Sequence, residues 1–269
     1  MTVVDLARAP RFPILALLHP RERSRLALAA LAAGLAVWCG AIWLLRLPVW
    51  VATAMALGLL LGPAALKWRD DRRRYGATAM VLSILLAAQG FHSVEHAAQA
   101  IQYHILKWPP FASSGLISAA NAEWVHFGWN WLVVATIAYL VRRGMRDAWA
   151  WLLLAWALAH AIEHAYMMAR YLEMLGELRR LGFPSVSAQG LPGILGRDGW
   201  LARSAATQGT FLCRLPGVTT ASRIDVHFWW NAGEIVLLLV AAHTFLRSHM
   251  GSEGRETPPG LPRRESLRA

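Results

Sequence analysis

Charge is scarce in this chain. Only 16% of its 269 residues are Asp, Glu, Lys or Arg, where a soluble domain carries about 25%, so an ordinary water-soluble globule is excluded. Cysteine is scarcer still, with Cys39 in an apolar run and Cys213 in a polar loop. Two thiols so placed exclude a disulfide framework, a thiolate zinc site and a thiolate-bound iron–sulfur cluster. A secretory leader is not expected either. The only early apolar patch, residues 12–18, is short, contains Pro13, and is followed by Arg21, Arg23 and Arg25 instead of a cleavage site. Acidic residues are outnumbered, 16 against 27 Lys and Arg, for a formal charge of +11. The basic residues stand in short clusters between apolar runs, so they speak for membrane topology and not for nucleic acid.

Apolar residues are what the chain has in quantity: 56% of the sequence, with 14 Trp. Runs long enough for a bilayer, which takes about 20 helical residues, recur six times. The spacing predicts an all-α polytopic membrane protein with spans at about 25–46, 48–67, 77–106, 121–141, 148–175 and 224–246. Residues 1–24 form a basic arm whose 12–18 patch rests on the membrane surface. The first two spans (25–68) read as scaffold, and 247–269 as a disordered tail. Eighteen Lys and Arg fall on the side holding the arm, residues 67–74, residues 142–146 and the tail, against eight on the other. That excess puts both termini in the cytosol, in the inner (cytoplasmic) membrane of a cell.

Two of these hairpins carry the same words. His92-Ser-Val-Glu95-His96 returns as His160-Ala-Ile-Glu163-His164, and Val125-His126-Phe-Gly-Trp-Asn130 returns as Val226-His227-Phe-Trp-Trp-Asn231. Residues 77–141 and 148–246 are therefore expected to be tandem repeats, parallel in the membrane, forming a four-helix core rich in His and Glu. The interval from His92 to His126 is 34 residues and that from His160 to His227 is 67. The surplus of about 33 enlarges the outer loop, about 177–222, into a cover over the site.

Positions i, i+3 and i+4 share a helix face, so each H-x-x-E-H projects its two imidazoles and its carboxylate together. His92, Glu95, His96, His126, His160, Glu163, His164 and His227 are the expected metal ligands, since ionisable groups within the hydrocarbon zone mark function. Asn130, Asn231, Gln99, Tyr103 and Tyr171 continue the same stripes and are expected to support the ligands from behind. Tyr103 and Tyr171 also suit anchoring at the outer interface, the Trp and Phe of the second motif suit packing or the interface belt, and Glu234 suits a proton or ion path. His19, His104, His243 and His249 have no place in the pattern.

Imidazole suits iron, copper, zinc and nickel, and the duplicated set predicts two transition-metal ions (Fe, Cu or Zn). The leading function is a metal-dependent membrane oxidoreductase, di-iron or copper, acting in the outer leaflet on a lipophilic substrate or quinone. Three alternatives use the same residues: a metal transporter or metal-handling protein, a haem b electron-transfer subunit, and a zinc hydrolase with a glutamate base. H-x-x-E-H resembles the inverzincin protease motif over five residues, without any counterpart there to V-H-F-x-W-N. The histidine-rich membrane hydroxylases and desaturases offer a chemical analogy, although the adjacent His-His pairs of those enzymes are missing.

Overall fold

A computed structural model describes residues 12–118, 122–186 and 189–252, and within them the secondary structure is helical, with no strand. The helices are α1 (Pro13–Leu18), α2 (Ser24–Trp43), α3 (Val49–His104), α4 (Glu123–Arg142), α5 (Ala148–Arg180), α6 (Trp200–Arg203) and α7 (Arg223–Ser252). Five of them, α2, α3, α4, α5 and α7, are long and apolar enough to cross a membrane. Their outer faces expose Trp43, Trp151, Leu158 and Val236, side chains that suit hydrocarbon and not water.

Where the sequence predicts six spans, α3 joins the second and third into one 56-residue element. It is not straight. Gly76 interrupts it at φ 82° and ψ 175°, a region open to glycine and closed to L-residues with a Cβ. Lys67 and Ser83 would stand about 24 Å apart on an unbroken helix, yet Lys67 Nζ donates to Ser83 Oγ at 2.6 Å. The chain therefore folds back at Gly76. Lys67 also pairs with Asp71 at 2.5 Å, and both side chains are nearly buried, so the turn is clamped by a charge pair screened from water.

Other ends are set by ordinary local chemistry. Asp147 caps α5, its Oδ1 accepting from Trp149 N at 2.9 Å and Ala150 N at 3.1 Å, while Oδ2 accepts from the Thr244 hydroxyl of α7 at 3.0 Å. Pro109 and Pro110 follow the end of α3, where proline cannot extend the helix. α5 runs to Arg180, so the long loop begins there and contains α6 and a 3-10 turn at Phe211–Arg214. α7 continues to Ser252, past the expected end of its span. Residues 1–11 of the arm and 253–269 of the tail lie outside the described residues.

The bundle divides along its length. At the end where α1 packs, Leu82 and Leu86 of α3, Ile137 and Leu140 of α4, Leu153 of α5 and Leu246 of α7 form a closed apolar core. Leu17 of α1 is fully buried in it, while Phe12, Leu15 and Leu18 stay exposed; the 12–18 patch thus packs on the bundle along one edge and keeps its other edge outward. At the opposite end, under the loops, the interior turns polar. α3 packs most on α2 and, among the helices that carry the motifs, on α7, while α4 packs chiefly on α5, so each helix bearing H-x-x-E-H lies beside the V-H-F-x-W-N helix of the other copy.

Candidate metal centre

All six motif histidines meet in one cluster. His92, His96 and His126 bring ring nitrogens within 4.8 Å of one another, a group that can hold a metal ion. Nε2 of His92 and Nε2 of His96 are 3.3 Å apart, the edge of a tetrahedron about an ion with bonds of about 2.0 Å. Of their counterparts His160, His164 and His227, His164 stands between the other two, with ring centroids 4.9 Å from His160 and 5.1 Å from His227; among the described residues the 4.8 Å grouping is met by the first triad. In this second group four nitrogens are buried without a hydrogen-bond partner among the described residues: His160 Nε2, both nitrogens of His164, and His227 Nε2. An unsatisfied buried polar atom is costly; four in one place ask for a ligand.

The contacts between the two groups come in equivalent pairs. His126 stacks on His164 at 5.2 Å and 16°, and His227, the counterpart of His126, stacks on His96 at 6.0 Å and 24°. His126 and His227 face each other at 6.3 Å.

Three rings are oriented by a bond on the far nitrogen. His96 Nδ1 lies 2.9 Å from Gln99 Oε1, His227 Nδ1 lies 2.9 Å from Arg223 O, and His160 Nδ1 lies 3.0 Å from Glu234 Oε2. Each acceptor fixes the ring proton on Nδ1 and leaves the Nε2 lone pair turned into the cluster, the arrangement metal-bound histidines use. Gln99 thus stands where the sequence predicts a supporting residue.

The glutamates are engaged elsewhere. Glu95 accepts from Leu116 N at 2.8 Å and Ile117 N at 2.9 Å. Glu163 accepts from Ile194 N at 3.0 Å and Leu195 N at 3.2 Å. Each buried carboxylate thus holds down the loop that crosses above it. A glycine opens each contact, Gly115 before Leu116 and Gly193 before Ile194; a Cβ at either would run into the carboxylate. Sequence reasoning misses this third shared phrase, Gly-Leu-Ile and Gly-Ile-Leu. It is three residues long and lies 20 residues after Glu95 but 30 after Glu163, so neither length nor register betrays it.

The remaining predicted residues divide. Asn130 and Asn231 make the same bond, Nδ2 donating to the carbonyl of His126 and of His227 at 2.9 Å, so each holds the backbone one turn before it. Tyr103 lines the cavity above the cluster, and Tyr171 is half-buried on α5. Each motif tryptophan lies against the first histidine of a copy: Trp129 is 5.8 Å from His92, and Trp230 stacks on His160 at 5.4 Å and 7°. These two belong to the site's wall, not to an interface belt. Below the cluster, Trp129 Nε1 donates to Gln89 Oε1 at 2.9 Å, Gln89 Nε2 donates to Glu234 Oε1, and Glu234 is the carboxylate that holds His160. Gln89 is a residue the motifs do not contain, since Ala157 stands at its place in the second copy and Val133 at that of Glu234.

A cavity of about 580 Å³ opens at the loop end, with His96, His126 and His227 on its floor. Its rim is closed on one side by Arg223, which bonds Glu123 Oε1 and the Leu191 carbonyl, each at 2.5 Å. Outside the pattern, His104 on α3 meets Asp225 of α7 at 2.5 Å and ties the helix ends together. The chain matches no protein-family model, no curated protein and no solved structure.

Proposed function

We propose that the chain is an integral membrane oxidoreductase of the inner (cytoplasmic) membrane, built around two transition-metal ions. His92, His96 and His126 hold one ion and His160, His164 and His227 the other. The observation that carries this reading is the set of four buried, unpartnered imidazole nitrogens packed against a second triad that can already hold a metal. The reciprocal stacking of His126 on His164 and His227 on His96 supports two tandem repeats related by a pseudo-two-fold axis between His126 and His227. The fold-back at Gly76 supports six crossings, with both termini cytosolic and the site near the outer face.

The donor set is dominated by imidazole, because Glu95 and Glu234 are bound at both oxygens, while Glu163 takes both of its backbone donors on Oε1. Such an imidazole-rich set suits copper and iron alike, and either metal supplies one-electron chemistry. The chain's own part is to orient Nε2 of His96, His160 and His227, to exclude lipid with Trp129 and Trp230, and to hold the loops above the site.

The other readings each meet an obstacle. A transporter needs a polar path onward, whereas below Glu234 the bundle is closed by Leu82, Leu86, Ile137, Leu153 and Leu238. A hydrolase needs a carboxylate placed to take a proton, whereas Glu95 and Glu234 are bound at both oxygens and Glu163 is tied to the loop through Oε1. A haem needs lateral room for its macrocycle between two facing rings, and the widest pair, His126 and His227 at 6.3 Å, is flanked by His96 and His164, each within 6.0 Å of both.

Elemental analysis of the detergent-purified protein tests the proposal, beside His96→Ala and His164→Ala. The expected result is two equivalents of copper or iron per chain, falling to about one in each variant because each removes one ligand of three. Zinc alone, with no redox change in the visible or EPR spectrum, overturns the oxidoreductase. No metal in a folded protein overturns the centre.

A further inference from the structure

The apolar setting of the cluster points to a lipophilic substrate; the cavity above it points elsewhere. Its mouth carries Arg197 and Asp198, paired at 3.5 Å with side chains 56% and 60% exposed. A solvated ion pair at that exposure does not face hydrocarbon, where each charge is costly, so the mouth opens to water. The wall between mouth and floor sets the hydrogen-bonding groups of Gln99, Tyr103, Ser114 and Arg223 among the apolar Phe111 and Ile224. Arg223 adds fixed positive charge, balanced by Glu123, which is 2% exposed. The volume of about 580 Å³ lies within the range of about 300–1,000 Å³ that takes a small organic molecule. At the bottom stand three imidazoles drawn from both triads, so a molecule that fills the chamber reaches both sets of ligands at once.

We propose that the substrate is a small, water-soluble solute bearing hydrogen-bond acceptors, which enters from the loop side through this chamber and not from the bilayer. The inference rests on the metal pair proposed above. It assigns the enlarged loop a second task besides covering the site, because Arg197 and Asp198 of that loop form the gate through which the solute passes.

Azide is the probe. It is a water-soluble anion, and its binding to copper or ferric iron gives a visible charge-transfer band. The protein, in nanodiscs and with its metal content measured first, is mixed with azide in a stopped-flow instrument. Ser114→Trp fills the chamber and is expected to slow azide binding at least about ten-fold at unchanged metal content, as blocking a route of this size requires. Arg197→Glu turns the neutral pair at the mouth into two carboxylates and is expected to slow it about three-fold at low salt, the difference closing at about 0.5 M NaCl where charge is screened. A short-chain quinone dissolved in the nanodisc bilayer leaves the rate unchanged. Equal rates in wild type and both variants, or competition by the quinone, overturn the chamber as the route. A protein that holds no metal fails at the first measurement, which removes the centre itself and the route with it. If Ser114→Trp does not fold, Arg197→Glu decides alone, since its side chain is more than half exposed and lies outside the packed bundle.

Discussion

Glu95 and Glu163 do the same task with different atoms. Glu95 gives Oε2 to Leu116 and Oε1 to Ile117, whereas Glu163 receives both donors on Oε1. A glutamine has one acceptor oxygen, so the two positions respond differently to the same change. Glu163→Gln keeps an oxygen for both N–H groups and loses only charge. Glu95→Gln turns an amide N–H₂ against a backbone N–H. We expect Glu95→Gln to destabilise by about 2 kcal/mol, the cost of a lost charge-assisted hydrogen bond, and Glu163→Gln by about 1 kcal/mol or less. Both should keep their full complement of metal. Thermal unfolding in detergent, followed by tryptophan fluorescence, measures the first, and elemental analysis the second. Loss of metal in either variant would make that glutamate a ligand. At this scale the histidines were legible because whole motifs recur. The glutamates' task was not: H-x-x-E-H places the carboxylate on the ligand face, and only the loop overhead shows what it touches. Glu234 and Gln89 were harder still, having no counterparts to draw attention to them.

Among the elements, the turn inside α3 has the least conspicuous sequence. No proline marks it, and the charged run at 67–74 continues as helix up to Tyr75. A single glycine at positive φ then reverses the chain. Gly76→Ala places a Cβ in an extended positive-φ region that costs L-residues about 1–3 kcal/mol, and it raises the propensity for the straight helix that competes with the fold-back. Gly90 is the control. It lies in the same element with helical backbone, and a Cβ there meets nothing within 4 Å; Gly90→Ala is expected to be neutral or to stabilise by up to about 1 kcal/mol. Melting temperatures of the two variants in one detergent separate the cases. A drop for Gly90→Ala equal to that for Gly76→Ala would show that the strain lies elsewhere. Helix type and placement were readable from apolar run length. Which helices pack together was not. The sequence makes each hairpin a unit, yet α3 packs more on α7 than on α4, whereas α5 packs on both α4 and α7, since periodicity reports that a face is buried and not against what.

At the scale of the molecule, polarity is divided end from end: an apolar core beside α1, a histidine cluster under the loops, and a chamber above it. Such a division has a direction only if the membrane orientation is fixed, and the distribution of Lys and Arg, eighteen against eight, supports the loop end facing outward. The two cysteines provide a native test. Cys213 lies in the long loop, half-buried, with its thiol bonded to the Thr210 carbonyl at 3.2 Å. Cys39 lies within α2 among apolar residues, where a charged reagent does not follow. A membrane-impermeant maleimide added to right-side-out spheroplasts is expected to label the protein once per chain, and Cys213→Ala to abolish the label. Phe211→Cys, at a residue 74% exposed, gives a second reporter that does not depend on how reactive Cys213 is. Labelling of both only after the membrane is opened would invert the molecule. The chamber would then open to the cytosol, the basic clusters would face outward against the charge rule, and the solute reaching the imidazoles would be an intracellular one.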